Sequence, residues 1–162
     1  ETGEILVKSK ALMAGYWNDP DNTGKSIIDG WYHTGDLARQ DEDGYYYFTG
    51  RIKQMIVHCG GNMSPGEVEN AINEHPGVKI SGVAGIRDGV SGQSVLAFIV
   101  LDKSRDNLPD EEELKTFVSE KLSDYKVPEH WTFVDELPLN ATGKIDRRKL
   151  NEMAEQYNSS LK

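Results

Sequence analysis

The chain has 162 residues and a formal net charge of −9, from 18 Lys and Arg against 27 Asp and Glu. That balance argues against a surface built to coat nucleic acid or to grip an anionic membrane, because both depend on a basic face. A single cysteine, Cys59, excludes an internal disulfide framework and a thiolate cluster for zinc.

No apolar run approaches the roughly 18 residues of a transmembrane segment, and no secretory pattern opens the sequence. The default expectation is a cytoplasmic protein. The length suits one domain, or one small domain with part of another. The chain starts without methionine and runs almost directly into a strand pattern, which reads as a cut edge.

Glu4 to Ser9 alternates with Ile5 and Val7 on one face and is expected to be a strand. Gly15 to Pro20 is a loop, and Asp21 to Ile28 can hold a short helical turn. Gly24-Lys25-Ser26 imitates the end of a phosphate loop, but that motif needs a glycine where Asp19 stands. Gly30 to Ala38 is expected to form two strands about a tight Thr34-Gly35-Asp36 turn, and Asp41 to Gly44 a hairpin turn into the aromatic strand Tyr45 to Phe48. Asp36 in such a turn ordinarily bonds its own backbone; the functional alternative is a carboxylate that accepts from vicinal hydroxyls.

Next comes the stretch from Gly50-Arg51-Ile52-Lys53 to Gly60-Gly61-Asn62, which separates a β-rich, aromatic part from a helix-and-strand part. Met55 to His58 is expected to be a strand returning at Asn62-Met63 through Gly60-Gly61. Ser64-Pro65-Gly66-Glu67 then has the form of a full helix start, with Ser64 as N-cap and Glu67 completing a capping box. Val68, Ala71, Ile72 and His75 form its apolar stripe, with His75 read as a cap or packing residue. Cys59 beside His58 is a poor nucleophile pair, because adjacent strand residues point to opposite faces.

Val78 to Ile86 and Ser94 to Leu101 read as an antiparallel pair joined by a loop from Arg87 to Gln93. A helix opens at Pro109 to Glu113, its acids placed where the helix dipole favours them, and buries Leu114, Phe117, Val118 and Leu122. After a turn at Tyr125 to Pro128 and a strand at Trp131 to Val134, Leu137 to Ile145 is an irregular loop. A last helix buries Leu150, Met153, Ala154 and Tyr157, and Asn158 to Lys162 are expected to fray. Lys144 stands out in the loop: it follows Thr142-Gly143 and opens a run in which Arg147, Arg148 and Lys149 are also basic. An ammonium there can reach a phosphate or carboxylate, or can simply be a solvated helix start. No G-x-S-x-G, G-x-G-x-x-G or metal-ligand spacing is present.

Four motifs in order resemble the C-terminal portion of the acyl-adenylate-forming synthetases, and acyl-CoA synthetases most of all. They are Gly3-Glu4-Ile5 with Gly15-Tyr16-Trp17, Tyr32-His33-Thr34-Gly35-Asp36-Leu37, Gly50-Arg51-Ile52-Lys53 with Pro65-Gly66-Glu67-Val68-Glu69, and Leu137-Pro138 with Thr142-Gly143-Lys144-Ile145-Asp146-Arg147. The resemblance implies an α+β fold. Residues 1–52 would be the β-rich tail of a large N-terminal domain, and residues 53–162 a small mobile lid with a short antiparallel sheet flanked by helices. It implies an ATP-dependent carboxylic acid–CoA ligase that uses ATP, Mg2+ and coenzyme A, with the missing N-terminal domain supplying the acyl pocket. Lys144 would be the adenylation lysine, Asp36 and Arg51 the nucleotide contacts, Lys53 the hinge, and Gly60 and Gly61 the approach of the pantetheine arm. No residue is expected to hold a metal. Gln54, Cys59 and Gly61 depart from the usual hinge and turn wording of the family. A domain that loads a carrier protein, and a stand-alone module that binds CoA or a carrier without chemistry, are the alternatives. The resemblance implies that the isolated chain is inactive.

Overall fold

The computed structural model describes residues 2–88 and 92–161. The chain divides into two compact units, Glu1–Gln54 and Met55–Lys162.

The first unit is an antiparallel sheet in the order β1 (Thr2–Val7), β3 (Trp31–Gln40), β2 (Ile27–Ile28), with β4 (Tyr46–Arg51) also pairing β3. A short helix, α1 (Pro20–Ser26), precedes β2 and is capped by Asp19, whose carboxylate accepts the Asn22 N–H at 3.0 Å. The expected turn at Thr34-Gly35-Asp36 is instead a bulge within one ten-residue strand. The β1–β3 register jumps between Glu4 (opposite Leu37) and Leu6 (opposite His33), and Gly35 takes φ +72°. Glycine there absorbs the extra residues without ending the strand. The hairpin turn at Asp41 to Gly44 forms as expected, closed by Gly44 N–H to the Asp41 carbonyl.

This unit has almost no interior. Among its described residues only Ala38 and Gly50 are buried, while Trp17, Tyr45, Tyr46 and Phe48 are exposed by 91, 68, 71 and 64%. Aromatic side chains that drive association elsewhere are here left facing outward.

A 3-10 turn (Ile52–Gln54) leads to the second unit. Its sheet runs β6 (Gly61–Met63), β5 (Ile56–His58), β8 (Gly92–Leu101), β7 (Val78–Asp88), and β9 (His130–Phe133) joins β8 in parallel, an exception to the antiparallel sheet expected. The β7–β8 pair is the long antiparallel one anticipated; residues 89–91 of its connection lie outside the described residues. Strand β8 reads as unbroken apolar sequence because both faces are covered. Val95, Ala97 and Ile99 face a core with Val68 and Ile72 of α2 (Pro65–Asn73), Leu114 and Val118 of α3 (Glu111–Ser119), and Trp131. Leu96, Phe98 and Val100 face a second core with Leu137 and with Leu150 and Ala154 of α4 (Arg147–Ser160). The helix stripes thus form as anticipated, with α4 continuing three residues into the segment expected to fray.

The two middle helices start differently. Asp110 caps α3 by accepting the Glu113 N–H at 2.9 Å. At α2 the expected capping box is not made: Ser64 gives no side-chain cap bond, and Glu67 reaches across to Lys126 Nζ at 2.6 Å. A charged partner in another element has displaced the local bond. His75 does pack as anticipated, buried with its ring edge on Phe117 and its Nδ1 accepting the Gly77 N–H at 3.1 Å.

Candidate functional site

Asp36 and Arg51 are cross-strand partners on β3 and β4. Arg51 Nε lies 2.7 Å from Asp36 Oδ1, a charge contact whose N–H is not aligned along it, so this buried oxygen accepts no hydrogen bond. The Arg51 side chain is mostly exposed. Asp36 is set in place by a relay from β1. The Glu4 carboxylate accepts His33 Nδ1–H at 2.8 Å and the Gly35 N–H at 2.9 Å, Thr34 Oγ1 donates to the Ile5 carbonyl, and the Asp36 N–H donates back to Thr34 Oγ1. The bond from His33, then that from the Gly35 amide, hold the Glu4 carboxyl below its usual value of 4.5 against a small opposing effect of burial. This anchoring role of Glu4 was not read from the sequence, where Glu4 figures only in a strand and in the first motif.

Lys53 lies exposed in the 3-10 turn, and the division between the units falls after Gln54. In the second unit, β5 and β6 are joined by a two-residue turn at Cys59-Gly60 rather than at Gly60-Gly61, with φ of +49° and +76°. Positive φ at both positions is the hairpin geometry that matches strand twist. A Cβ added at Gly60 would meet nothing within 4 Å, whereas one at Gly61 would touch the Tyr125 ring at 3.5 Å. Because Cys59 leaves the strand in a left-handed conformation, its sulfur folds back to 3.3 Å from His58 Nε2. The opposite-face rule expected from strand geometry does not apply to it. His58 Nδ1–H donates to the Gln93 carbonyl at 2.6 Å, which leaves Nε2 as the acceptor.

The segment around Lys144 is ordered rather than irregular. Leu139 bridges Ile145, Asn140 N–H donates to the Lys144 carbonyl at 2.7 Å, and Asp146 N–H donates to the Pro138 carbonyl at 2.8 Å. Asn140 Oδ1 accepts from the backbone N–H of Thr142 and Lys144 and from Thr142 Oγ1. Gly143 turns the chain with φ +77°. Lys144 is exposed, and its ammonium makes no hydrogen bond or ion pair among the described residues. The helix dipole does not oppose it directly, since Asp146 caps α4. Arg147, read in the sequence as one more cation of the basic run, is instead engaged: both terminal nitrogens reach the Glu69 carboxylate at 2.6 Å. Glu69 is buried, and it was missed although it follows Val68 and precedes Ile72 by three on the apolar stripe of α2. An acid at a stripe position is a signal for a buried ion pair.

An open groove of about 710 Å³ along Thr2 to Leu6, Ala38, Gln40 and Tyr46 holds none of the expected site residues. Among the described residues, no three His, Cys, Asp or Glu side chains come together in a way that could hold a metal ion. No helix among them is long and apolar enough to cross a membrane.

Residues 67–144, which run from the first turn of α2 to the exposed lysine, match the family described as AMP-binding enzyme C-terminal domain. That stretch, the greater part of the second unit, is similar to this family. The chain is 45% identical over 152 residues to a long-chain-fatty-acid–CoA ligase of Bacillus subtilis, covering 94% of this chain and 27% of that protein. It is 42% identical over 153 residues to a 2-succinylbenzoate–CoA ligase of Geobacillus kaustophilus, covering 94% of this chain and 31% of the relative. The solved structure of ATP-bound MatB from Rhodopseudomonas palustris superposes with a TM-score of 0.87 at 34% identity, covering 98% of this chain and 31% of that one. The chain therefore spans under a third of the length of the relatives it matches, and the α+β fold and family expected from the four motifs are found.

Proposed function

We propose that this chain is the C-terminal part of an ATP-dependent, AMP-forming carboxylic acid–CoA ligase. In the first step a carboxylate oxygen attacks the α-phosphorus of ATP and pyrophosphate leaves. In the second a thiol sulfur attacks the acyl carbonyl, AMP leaves, and the thiol proton passes to solvent. The observation that carries the reading is the unpaired Lys144 ammonium held on a hydrogen-bonded loop at the end of the matched family segment. An ammonium without an internal partner is available to bridge the acid carboxylate and the α-phosphate, where negative charge accumulates.

Asp36 and Arg51 are the nucleotide contacts of this reading. The partly exposed Asp36 carboxylate is an acceptor suited to a ribose hydroxyl, and the mostly exposed Arg51 guanidinium suits a phosphate or base edge. Lys53 is the hinge in the proposal, and Gly60 and Gly61 border the passage of the pantetheine arm. The positive φ of Gly60 already accounts for that glycine by itself, so the passage role rests on the open space around it. Mg2+ would accompany the ATP phosphates; the described residues offer no cluster for it. The acid is a fatty or other acyl acid, and the compartment is the cytoplasm.

Residues 1–52 fit the tail of a larger domain and residues 53–162 a mobile lid. The exposed aromatics and near-absent interior of the first unit support this, because such a sheet lacks the apolar burial that sustains an independent domain. The test is Lys144→Ala in the full-length enzyme. Adenylation, followed as ATP–pyrophosphate exchange, is expected to fall roughly 10²–10³-fold, while thioester formation from supplied acyl-adenylate is retained. Equal loss in both half-reactions would overturn the role given to Lys144.

A further inference from the structure

We propose that Glu69 and Arg147 are positioning residues that set the reach of Lys144, a role that rests on the adenylation reading of that lysine. The Arg147 guanidinium meets the Glu69 carboxylate through two parallel bonds of 2.6 Å, and Nη1 also donates to the Val83 carbonyl at 3.3 Å. Glu69 Oε1 in turn accepts the Val83 N–H at 2.7 Å. One carboxylate thus joins α2, the centre of β7 and the first residue of α4. A two-pronged pair fixes direction as well as distance, which a single lysine-type contact does not.

Arg147 stands three residues after Lys144, and every element between them is tied down. Ile145 bridges Leu139, Asp146 N–H is held by the Pro138 carbonyl, and Leu150 and Leu137 press on the bare backbone of Gly82, one residue from Val83. A Cβ at Gly82 would lie 3.1 Å from Leu150 and 3.3 Å from Leu137. The loop stem is therefore clamped to β7 at residues 82–83 by apolar contact on one side and by the ion pair on the other. Only the ammonium at the tip is left without a partner among the described residues. A cation that acts on developing charge needs this combination, a free head on a fixed stem, because a displacement near 1 Å can cost roughly 10²-fold in rate. The pair touches no reacting group and is not catalytic itself.

The experiment uses the full-length enzyme and the carboxylic acid that gives it the fastest ATP–pyrophosphate exchange in a panel of fatty and aromatic acids. Arg147→Gln is expected to lower the kcat of adenylation about 10- to 100-fold, with the KM for ATP and thioesterification of supplied adenylate changed by less than about two-fold. Arg147→Lys, which keeps one charged contact, is expected to fall between Arg147→Gln and the parent. Glu69→Gln, whose amide oxygen can still accept the Val83 N–H, provides the second variant should Arg147→Gln not fold, and is expected to show the same split. A parallel loss in both half-reactions, or no loss in either, overturns the proposal and leaves a plain structural staple. Lys144→Ala run alongside separates the two claims. If it spares adenylation, the reading of Lys144 fails; if it abolishes adenylation while Arg147→Gln does not shift the split, only the positioning role fails.

Discussion

Leu150→Ala tests the second core directly. Leu150 is fully buried and packs with Leu137, Leu96, Phe98 and Ala154, and both of its methyl groups approach Gly82 within about 3.2 Å of where a Cβ would stand. Removing three carbons at about 0.8 kcal/mol each gives roughly 2.4 kcal/mol of lost transfer energy. A residual cavity adds to it, because the sheet beneath is pinned by the β7–β8 pairing and cannot collapse; the total should be about 2.5–4 kcal/mol. A loss of that size accelerates amide exchange from globally opened states by roughly 70- to 900-fold. The assay is hydrogen exchange at the amides of Val95 to Ile99 on β8, which reports on the second unit alone. Leu108→Ala, at an exposed position, serves as control and should change these rates by less than about two-fold. Acceleration below about five-fold for Leu150→Ala would mean that α4 is not an integral wall of this core, and the argument for a clamped Lys144 stem would go with it.

Further outcomes follow from particular contacts. Asp110→Ala should cost about 1 kcal/mol by removing the cap on the Glu113 N–H, whereas Ser64→Ala should cost less than about 0.5 kcal/mol, since Ser64 makes no such bond; urea midpoints of the two variants distinguish these cases. Cys59→Gly should stabilise the β5–β6 turn by up to about 1 kcal/mol in the same assay, because a non-glycine residue there is held at φ +49°. The Glu4 carboxyl is depressed in the folded chain, so its stabilising bonds are complete above pH 4.5 and are lost as pH falls through its lower folded value. The Gly35 amide should become exchange-labile in that acid window and not above it. For Lys126, burial alone would lower the ammonium, but the bond and charge of Glu67 outweigh it and hold it above 10.5. That contribution is complete below pH 10.5 and disappears as pH rises through the raised value, so the parent and Glu67→Gln should converge in stability there.

The sequence made the second unit legible where periodicity was strong. The stripes of α2, α3 and α4 and the unbroken apolar run of β8 each stated which side would be covered. Local signals misled where a distant partner competed. Ser64 and Glu67 carry the wording of a capping box, yet Lys126, 59 residues away, takes the glutamate. Thr34-Gly35-Asp36 carries the wording of a turn, yet Glu4 on the neighbouring strand stretches it into a bulge. Spacing alone identified Lys144 as a lysine in a glycine-relaxed loop, but could not state that Arg147, equally basic, would be consumed by Glu69 78 residues away. Charge type is local information, whereas partner choice is set by the fold.

The two-faced core of the second unit bears on how such chains can recombine. Both sides of β8 are sealed by helices and strands that all lie between Met55 and Lys162, so no side chain from before that point is needed to complete the packing. A unit closed in this way is a cassette: spliced behind a foreign partner at the Ile52–Gln54 turn, it should retain its own melting behaviour. The open aromatic sheet of residues 2–54 buries only Ala38 and Gly50 among its described residues and has no such closed packing. Gene shuffling and domain grafting should therefore tolerate junctions after Gln54 far better than junctions within the sheet of residues 2–54.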